Sequence, residues 1–342
     1  MPFTTYNAVS RTAARALEEF DESFRDALAI SEPETLWASQ FGLVVSSDAL
    51  KLTFPIPLDA AGYHEFKGEI KYRTLYSRAL SMKGRIWQDG VEEFARIVES
   101  PDFIDWSGQP AKMAREWTRL PNTLVAEMLE ANPVLDFYRD PDTGTAGSRE
   151  LFAADHPFNV MKTGLGDFDN DRETTQANIL NGTFFRDLKM YARSIKGPNG
   201  QPMGLRADGG NILCAPAEAD LFDEALKQDS VIRAISNDGA VTPPAAAGTV
   251  VAGVVQSNRH KGTMGSTVAD ELTTADVFYV LLVGNAECHP WIVQQGSSVE
   301  AIVHDKSSDR YKSNLKISYA TIGEANSAAA LPHKIVRYTI TG

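Results

Sequence analysis

The chain has 342 residues, with 33 lysines and arginines against 45 aspartates and glutamates, a formal net charge of −12. At ~100–200 residues per domain this length means two domains, or one large body with extensions. A composition of 43% hydrophobic and 23% charged residues excludes wholesale disorder and a disulfide-stapled miniprotein, and the negative balance is the wrong sign for gripping phosphates.

Val9, Ala13, Leu17, Phe20, Phe24 and Leu28 recur every three or four positions, with Ser10 as a cap and acids opposite. This predicts an amphipathic helix over 9–30, whose apolar stripe must dock on the chain's own body or on a neighbouring copy. Leu50, Leu52, Phe54, Ile56 and Leu58 alternate with Lys51, Thr53, Pro55 and Pro57. The two prolines confine that strand to an edge or a projecting arm. Past the turn-like Asp59-Ala60-Ala61-Gly62, an extended run through Ile70, Tyr72, Thr74 and Tyr76 is expected to return antiparallel, completing a long hairpin.

Ser107 and Pro110 open the longest helix, whose face is marked by Met113, Trp117, Leu120, Leu124 and Met128 and whose stop is Asn132-Pro133. Pro121 falls inside it and costs ~3 kcal/mol, so a kink or a break is expected. A second helix over 175–196 carries Ile179, Phe184, Leu188, Tyr191 and Ile195, places Lys189, Arg193 and Lys196 toward its negative end, and terminates at Gly197-Pro198. Ile212-Leu213-Cys214 reads as a buried strand. Pro216 then opens a helix with Glu218 and Asp220 early and Leu221, Phe222, Ala225 and Leu226 inward. Residues 236–270 are loop-rich, and 277–283 form a buried strand. Leu315, Ile317 and Tyr319, then Val336, Tyr338 and Ile340, alternate as β structure to the end of the sequence.

The longest apolar run, 277–283, is far short of the ~20 residues of a bilayer span. Glu18, Glu19, Asp21 and Glu22 stand where a secretory signal would be apolar, so the cytoplasm is the expected compartment of synthesis. Two cysteines, Cys214 and Cys288, suit a reducing environment and read as partly buried thiols. The acidic run Asp167-Phe168-Asp169-Asn170-Asp171 lacks a calcium loop's glycine and closing glutamate, which here are Arg172 and Asn178, and reads as a solvated turn. Gly164-Leu165-Gly166 lacks the third glycine of a dinucleotide fingerprint. Cys288-His289 is one adjacent ligand pair, and His64, His156, His260, His304 and His333 show no metal-ligand spacing, so no metal or cofactor is expected. Asp155-His156, with the acids near Asp169, is the one candidate proton relay for a soluble hydrolase. No activated serine or cysteine accompanies it, and a histidine hydrogen-bonded in a turn before Pro157 is the stronger reading. No catalytic, cofactor-binding or metal residue is therefore assigned. Projecting elements with apolar faces are costly to leave wet, so they imply partners.

The order of segments resembles the major capsid proteins of tailed bacteriophages, the Hong Kong 97-type α+β fold, and most closely the major head subunit of Mu-like phages. The stretch Trp117-Thr118-Arg119-Leu120-Pro121-Asn122-Thr123-Leu124-Val125-Ala126-Glu127-Met128-Leu129 is similar to the family's spine helix, including its mid-helix proline. Leu151-Phe152-Ala153-Ala154-Asp155-His156-Pro157 resembles the segment that follows it. Gly200-Gln201-Pro202-Met203, then Asn211-Ile212-Leu213-Cys214-Ala215-Pro216 and Ala225-Leu226, resemble the turn, strand and helix that begin the axial domain core.

The resemblance implies an N-terminal arm over 1–42, an extended E-loop over 43–90, and a peripheral domain with the spine helix over 91–160. An axial domain over 161–296 and C-terminal strands of the peripheral domain over 297–342 would complete the chain. It implies a non-enzymatic head protein of the virion, assembled in the host cytoplasm as pentamers and hexamers in an icosahedral or elongated shell around double-stranded DNA, without specific DNA binding or a membrane. A separate scaffold protein is expected because only a short region precedes the E-loop, and a portal and decoration proteins are further partners. An encapsulin-like compartment holding enzyme cargo is the alternative with the same fold.

Overall fold

The computed structural model describes residues 13–30, 36–47, 49, 51–57, 77–99, 108–139, 146–157, 167–196, 202–227, 230–235, 241–242, 254–257, 262–284, 289–296 and 299–342. They fall into two units: Met1–Leu52, Met82–Leu124 and Val293–Ser327 make the first, and Thr53–Ser81, Val125–Ile292 and Ala328–Gly342 the second.

The first unit is organised by the long strand Lys316–Ala329. Its sheet runs in the order Leu43–Ser46, Trp291–Gln295, Lys316–Ala329, Glu300–His304, and Arg85–Phe94 pairs with the long strand as well. That last pairing is antiparallel and unbroken from Lys316 opposite Phe94 to Ala325 opposite Arg85. Alternation along 316–329 sends Ile317 and Tyr319 into a core with Ala95, Val98, Met113 and Ala114.

Against this strand lies the helix Gly108–Ala131, which continues through Pro121 without the expected break. A proline at 121 cannot donate to the carbonyl of Trp117. That carbonyl instead accepts a bond from Gln295 Nε2 at 3.3 Å, so the lost intrahelical bond is replaced from the sheet. Further along, Asn122 Oδ1 accepts from the Ala38 amide at 3.0 Å, and Ser327 Oγ donates to the Leu124 carbonyl at 2.8 Å. The Trp117 indole occupies the space above Gly323, where any Cβ would overlap it.

The second unit is built on a sheet ordered Gly265–Val268, Arg206–Cys214, Val277–Val283, Ile335–Thr341, Asp171–Thr175. Its three inner strands are antiparallel to their immediate inner neighbours, and each outer strand joins parallel. The strand-then-helix signal at Ile212 and Pro216 is realised as Arg206–Cys214, a short 3₁₀ turn, and the helix Ala219–Lys227. Phe222 of that helix meets Phe278 at 4.6 Å between ring centroids, and Phe184 meets Tyr338 at 5.1 Å, both edge-on. These rings sit in one apolar core with Phe185, Leu188 and Val336.

The helix expected over 175–196 is split into Gln176–Leu180 and Thr183–Ser194. Gly182 between them adopts φ 75°, a left-handed conformation that interrupts a right-handed helix. The Gly108–Ala131 helix stops where expected, because Asn132 takes φ 46° and its side chain bonds Glu150 and the backbone of Phe152. Just before that stop, Glu130 accepts hydrogen bonds from the Thr273 amide at 2.6 Å and the Thr274 amide at 2.8 Å. Burial pushes its carboxyl up, but these bonds outweigh it and hold the group below the ordinary value.

Several groupings read from the sequence are divided by strand pairing. Within 43–90, the ends Leu43–Ser46 and Arg85–Phe94 are strands of the first sheet. Val293 to the end of the 161–296 segment belongs to the first unit, and the spine helix crosses from the first unit to the second after Leu124. The block 297–342 is also split: Lys316–Ala329 serves the first sheet, whereas Ile335–Thr341 is an inner strand of the second. A bidentate pair between Arg337 and Asp171, at 2.8 and 2.7 Å, accompanies the parallel register that places this strand there. The strand Lys51–Pro57 pairs with Ser77–Lys83, and since each has one partner among the described residues both are edges there, as the prolines require. The return expected at 70–76, the turn at 59–62 and most of the 236–270 loop region lie outside the described residues.

Replacing Gly323 by alanine is expected to destabilise the first unit by about 1–3 kcal/mol, since the indole must leave its seat. Urea unfolding followed by Trp fluorescence measures it, and an unchanged midpoint would show that the seam is soft.

Candidate intersubunit surfaces

The helix Ala13–Ile30 places Ala13, Ala16, Leu17, Phe20 and Phe24 on one buried face. That face is covered by the chain itself: Phe20 and Phe24 pack on Tyr319 with ring centroids 4.6 and 6.2 Å apart. The expectation that such a stripe docks on its own body or a neighbour resolves to the first for this helix, so it is not among the projecting apolar elements that imply partners. The cause is the polar fit around the aromatic contact. Tyr319 donates its hydroxyl to Asp21 at 2.8 Å, and Asp21 also pairs with Arg25 one turn on at 2.8 Å. At the helix start, the Ala13 amide is held by Glu99, which also pairs with Lys306. The Lys306 hydrogen bond keeps the Glu99 carboxyl below the usual range.

Beside this helix, Glu300–His304 closes the sheet order, paired only with Lys316–Ala329 among the described residues. Edge strands are normally blunted by lysine, proline or a bulge. This one reads Glu-Ala-Ile-Val-His and leaves Ile302 40% and Val303 45% exposed. Between helix and strand runs a shallow groove of about 370 Å³, lined by Ala14, Leu17, Glu18, Asp21, Arg25, Ala301, Val303 and Asp305. An open strand edge flanked by carboxylates can take up another extended segment through main-chain hydrogen bonds.

The residues considered for a hydrolase do not assemble into a relay among the described residues. Asp155 pairs with Arg149 at 3.0 Å on the exposed side. His156 is fully buried, its Nε2 2.9 Å from the Leu151 carbonyl and its ring stacked on Phe168 at 4.9 Å. Burial is the largest influence on that imidazole and holds it below its ordinary value. Asp169 turns its Oδ1 to the Asp171 amide and its backbone carbonyl to Tyr191. The acidic run is therefore woven into the sheet rather than solvated. Asn170 is the residue that composition hides: fully buried, it donates to the carbonyls of Leu151 and Pro332 and accepts from the Ala153 amide. An asparagine amid aspartates carries no signal of this.

Among the described residues no group of three or more histidines, cysteines or acids is placed to hold a metal. Cys214 is buried, which pushes its thiol up to about 12. Cys288, His64, His260 and the Gly164-Leu165-Gly166 turn lie outside the described residues, and no described helix is long and apolar enough to cross a membrane.

Two outcomes are expected. Phe20→Ala should cost about 3 kcal/mol, by loss of the buried ring and the cavity it leaves, and should expose the 13–30 helix to limited proteolysis. An unchanged cleavage pattern would count against the docking. For His156 the folded value lies below the unfolded one near 6.5, so its contribution is present above that pH and is lost as pH falls through the folded value. His156→Gln should remove that part of the acid destabilisation, measured by urea unfolding at a series of pH values.

No family model matches the chain, and no curated protein matches it. Solved structures do. The chain is similar to a subunit in the capsid of the empty GTA particle, at 10% identity over 92% of this chain and 91% of that one, with a TM-score of 0.50. The capsid of the native GTA particle gives 10% identity, 92% and 92% coverage and a TM-score of 0.50. The mature capsid of bacteriophage PhiM1 gives 11%, 90% and 87%, again at 0.50. With about nine tenths of its length included in this likeness, the chain has the α+β Hong Kong 97-type capsid fold.

Proposed function

We propose that the chain is the major subunit of a phage-type capsid, many copies closing into a shell around double-stranded DNA. The observation that carries this reading is a fold shared over about nine tenths of the chain with capsid subunits of the GTA particle and phage PhiM1. On this reading the first unit is the peripheral domain, the second is the axial domain meeting its copies around five- and six-fold axes, and Lys51–Pro57 with Ser77–Lys83 begins the E-loop.

Shell physics is compatible with what the chain offers. Closure needs heterologous contacts repeated about rotation axes, and several modest contacts per subunit hold by multivalency. A net charge of −12 keeps packaged DNA from adhering to the wall, because little counterion release would reward contact. The subunit's role is structural, its place is the virion after assembly in the host cytoplasm, and its partners are a scaffold protein, a portal and decoration proteins.

Expression with and without the scaffold protein, followed by sedimentation and electron microscopy, tests the reading. Closed shells are expected. A monomer at high concentration with scaffold present would overturn it, and native particles filled with enzyme instead of DNA would replace it with the encapsulin-like alternative.

A further inference from the structure

We propose a cation site in the first unit, where Gln294 and Glu324 converge over Gly84, with calcium as its ligand. The proposal stands apart from the shell reading. Gln294 and Glu324 lie on the neighbouring strands Trp291–Gln295 and Lys316–Ala329. Gly84 joins Ser77–Lys83 to Arg85–Phe94. A Cβ at Gly84 would stand 3.0 Å from Glu324 Oε2 and 3.6 Å from Gln294 Nε2, so carboxylate and amide border one space, which the glycine keeps clear of a side chain. Glu324 Oε2 and Gln294 Oε1 are both shielded from solvent, and among the described residues neither receives a hydrogen bond.

The orientation of the amide is fixed by its donors. Gln294 Nε2 donates to the Ser47 carbonyl at 3.1 Å and to the Ala49 carbonyl at 2.6 Å, which uses both of its hydrogens. Turning the amide over would set Oε1 against those two carbonyls, so Oε1 stays without a donor in a residue that is fully buried. Beside it, an ionised Glu324 can only accept. Two buried acceptors, one of them charged, are costly to leave unmatched. Neither can answer the other, and a positive charge answers both. The donor set is all oxygen, a carboxylate and an amide carbonyl held on strands rather than in a preformed octahedron. Calcium accepts such irregular sets, with glutamine carbonyls among its usual ligands and water in the remaining positions. Glu324 as a whole is only partly buried, so ion and water reach the space from its side. With a single charged ligand the affinity falls in the weak range, about 0.1–1 mM.

The test uses the full chain, stripped with EDTA. Calcium binding is measured by equilibrium dialysis with radioactive calcium, and thermal unfolding is followed in CaCl2 and, as control salts, in MgCl2 and NaCl of equal ionic strength. At about 10 mM, calcium is expected to raise Tm by about 2–5 °C, more than either control salt. E324Q removes the charge, and the glutamine amide placed there can donate to Gln294 Oε1. This variant should bind calcium at least tenfold more weakly and, in EDTA, melt no lower than the unaltered chain. G84A sets a methyl against Glu324 Oε2 and should also weaken calcium binding, with circular dichroism unchanged, which keeps the test decisive should E324Q fail to fold. A Tm indifferent to calcium, the result that a bridging water in the same space would give, overturns the inference. Equal Tm shifts from CaCl2 and a control salt, or calcium binding unaltered in E324Q or G84A, overturn it as well. None of these results bears on shell formation, which is read separately by sedimentation.

Discussion

Everything in the first unit depends on how a helix with a proline at its centre is held against a long strand. The seam works through complementary omissions. Pro121 lacks the hydrogen that would satisfy the Trp117 carbonyl, and Gln295 supplies one from the sheet. Gly323 lacks a side chain, and the Trp117 indole takes its place. An unpaired buried carbonyl costs about 1–3 kcal/mol, so a helix that left Trp117 unsatisfied would be prone to bend or fray at that turn. With Gln295, Gly323 and Ser327 in position, the same helix continues through its weakest residue.

The proposed role follows from where rigidity ends. Each unit closes its own core, the first around Tyr319 and the second around Phe278, leaving a few main-chain edges unspent. The two-stranded pair of Lys51–Pro57 and Ser77–Lys83 and the strand Glu300–His304 are among those edges. The N-terminal helix, by contrast, is fully engaged by Phe20, Phe24 and Asp21, so it stiffens the groove wall rather than awaiting cover.

Local periodicity made much of this readable in advance. The stripe from Ala13 to Phe24, the stop at Asn132-Pro133 and the buried strand Val277–Val283 are all set by nearby residues and stand as expected, and Pro216 opens a 3₁₀ turn that leads into the expected helix at Ala219. What escaped depends on partners distant in sequence. The continuity of the helix at Pro121 is decided by Gln295, the division of 297–342 by the pairing of Arg337 with Asp171, and the burial of Asn170 by carbonyls at 151 and 332. One local signal was present and outweighed: Gly182 sits inside an otherwise regular apolar pattern, and its left-handed turn splits the helix. Of the candidate site only the acidic helix face was legible in the sequence; the strand Glu300–His304 was not, and the groove the two frame is a property of the folded chain.

The position of Ile335–Thr341 between Val277–Val283 and Asp171–Thr175 also governs the order of folding. Among the described residues Asp171–Thr175 has no other neighbour in its sheet, so on the ribosome it must wait until some 160 further residues have been made, on the order of ten seconds at ~5–20 residues per second. During that interval the nascent second unit carries an unfinished apolar sheet, the state most prone to stick to other chains. Synthesis at high copy number would therefore load cellular chaperones in proportion.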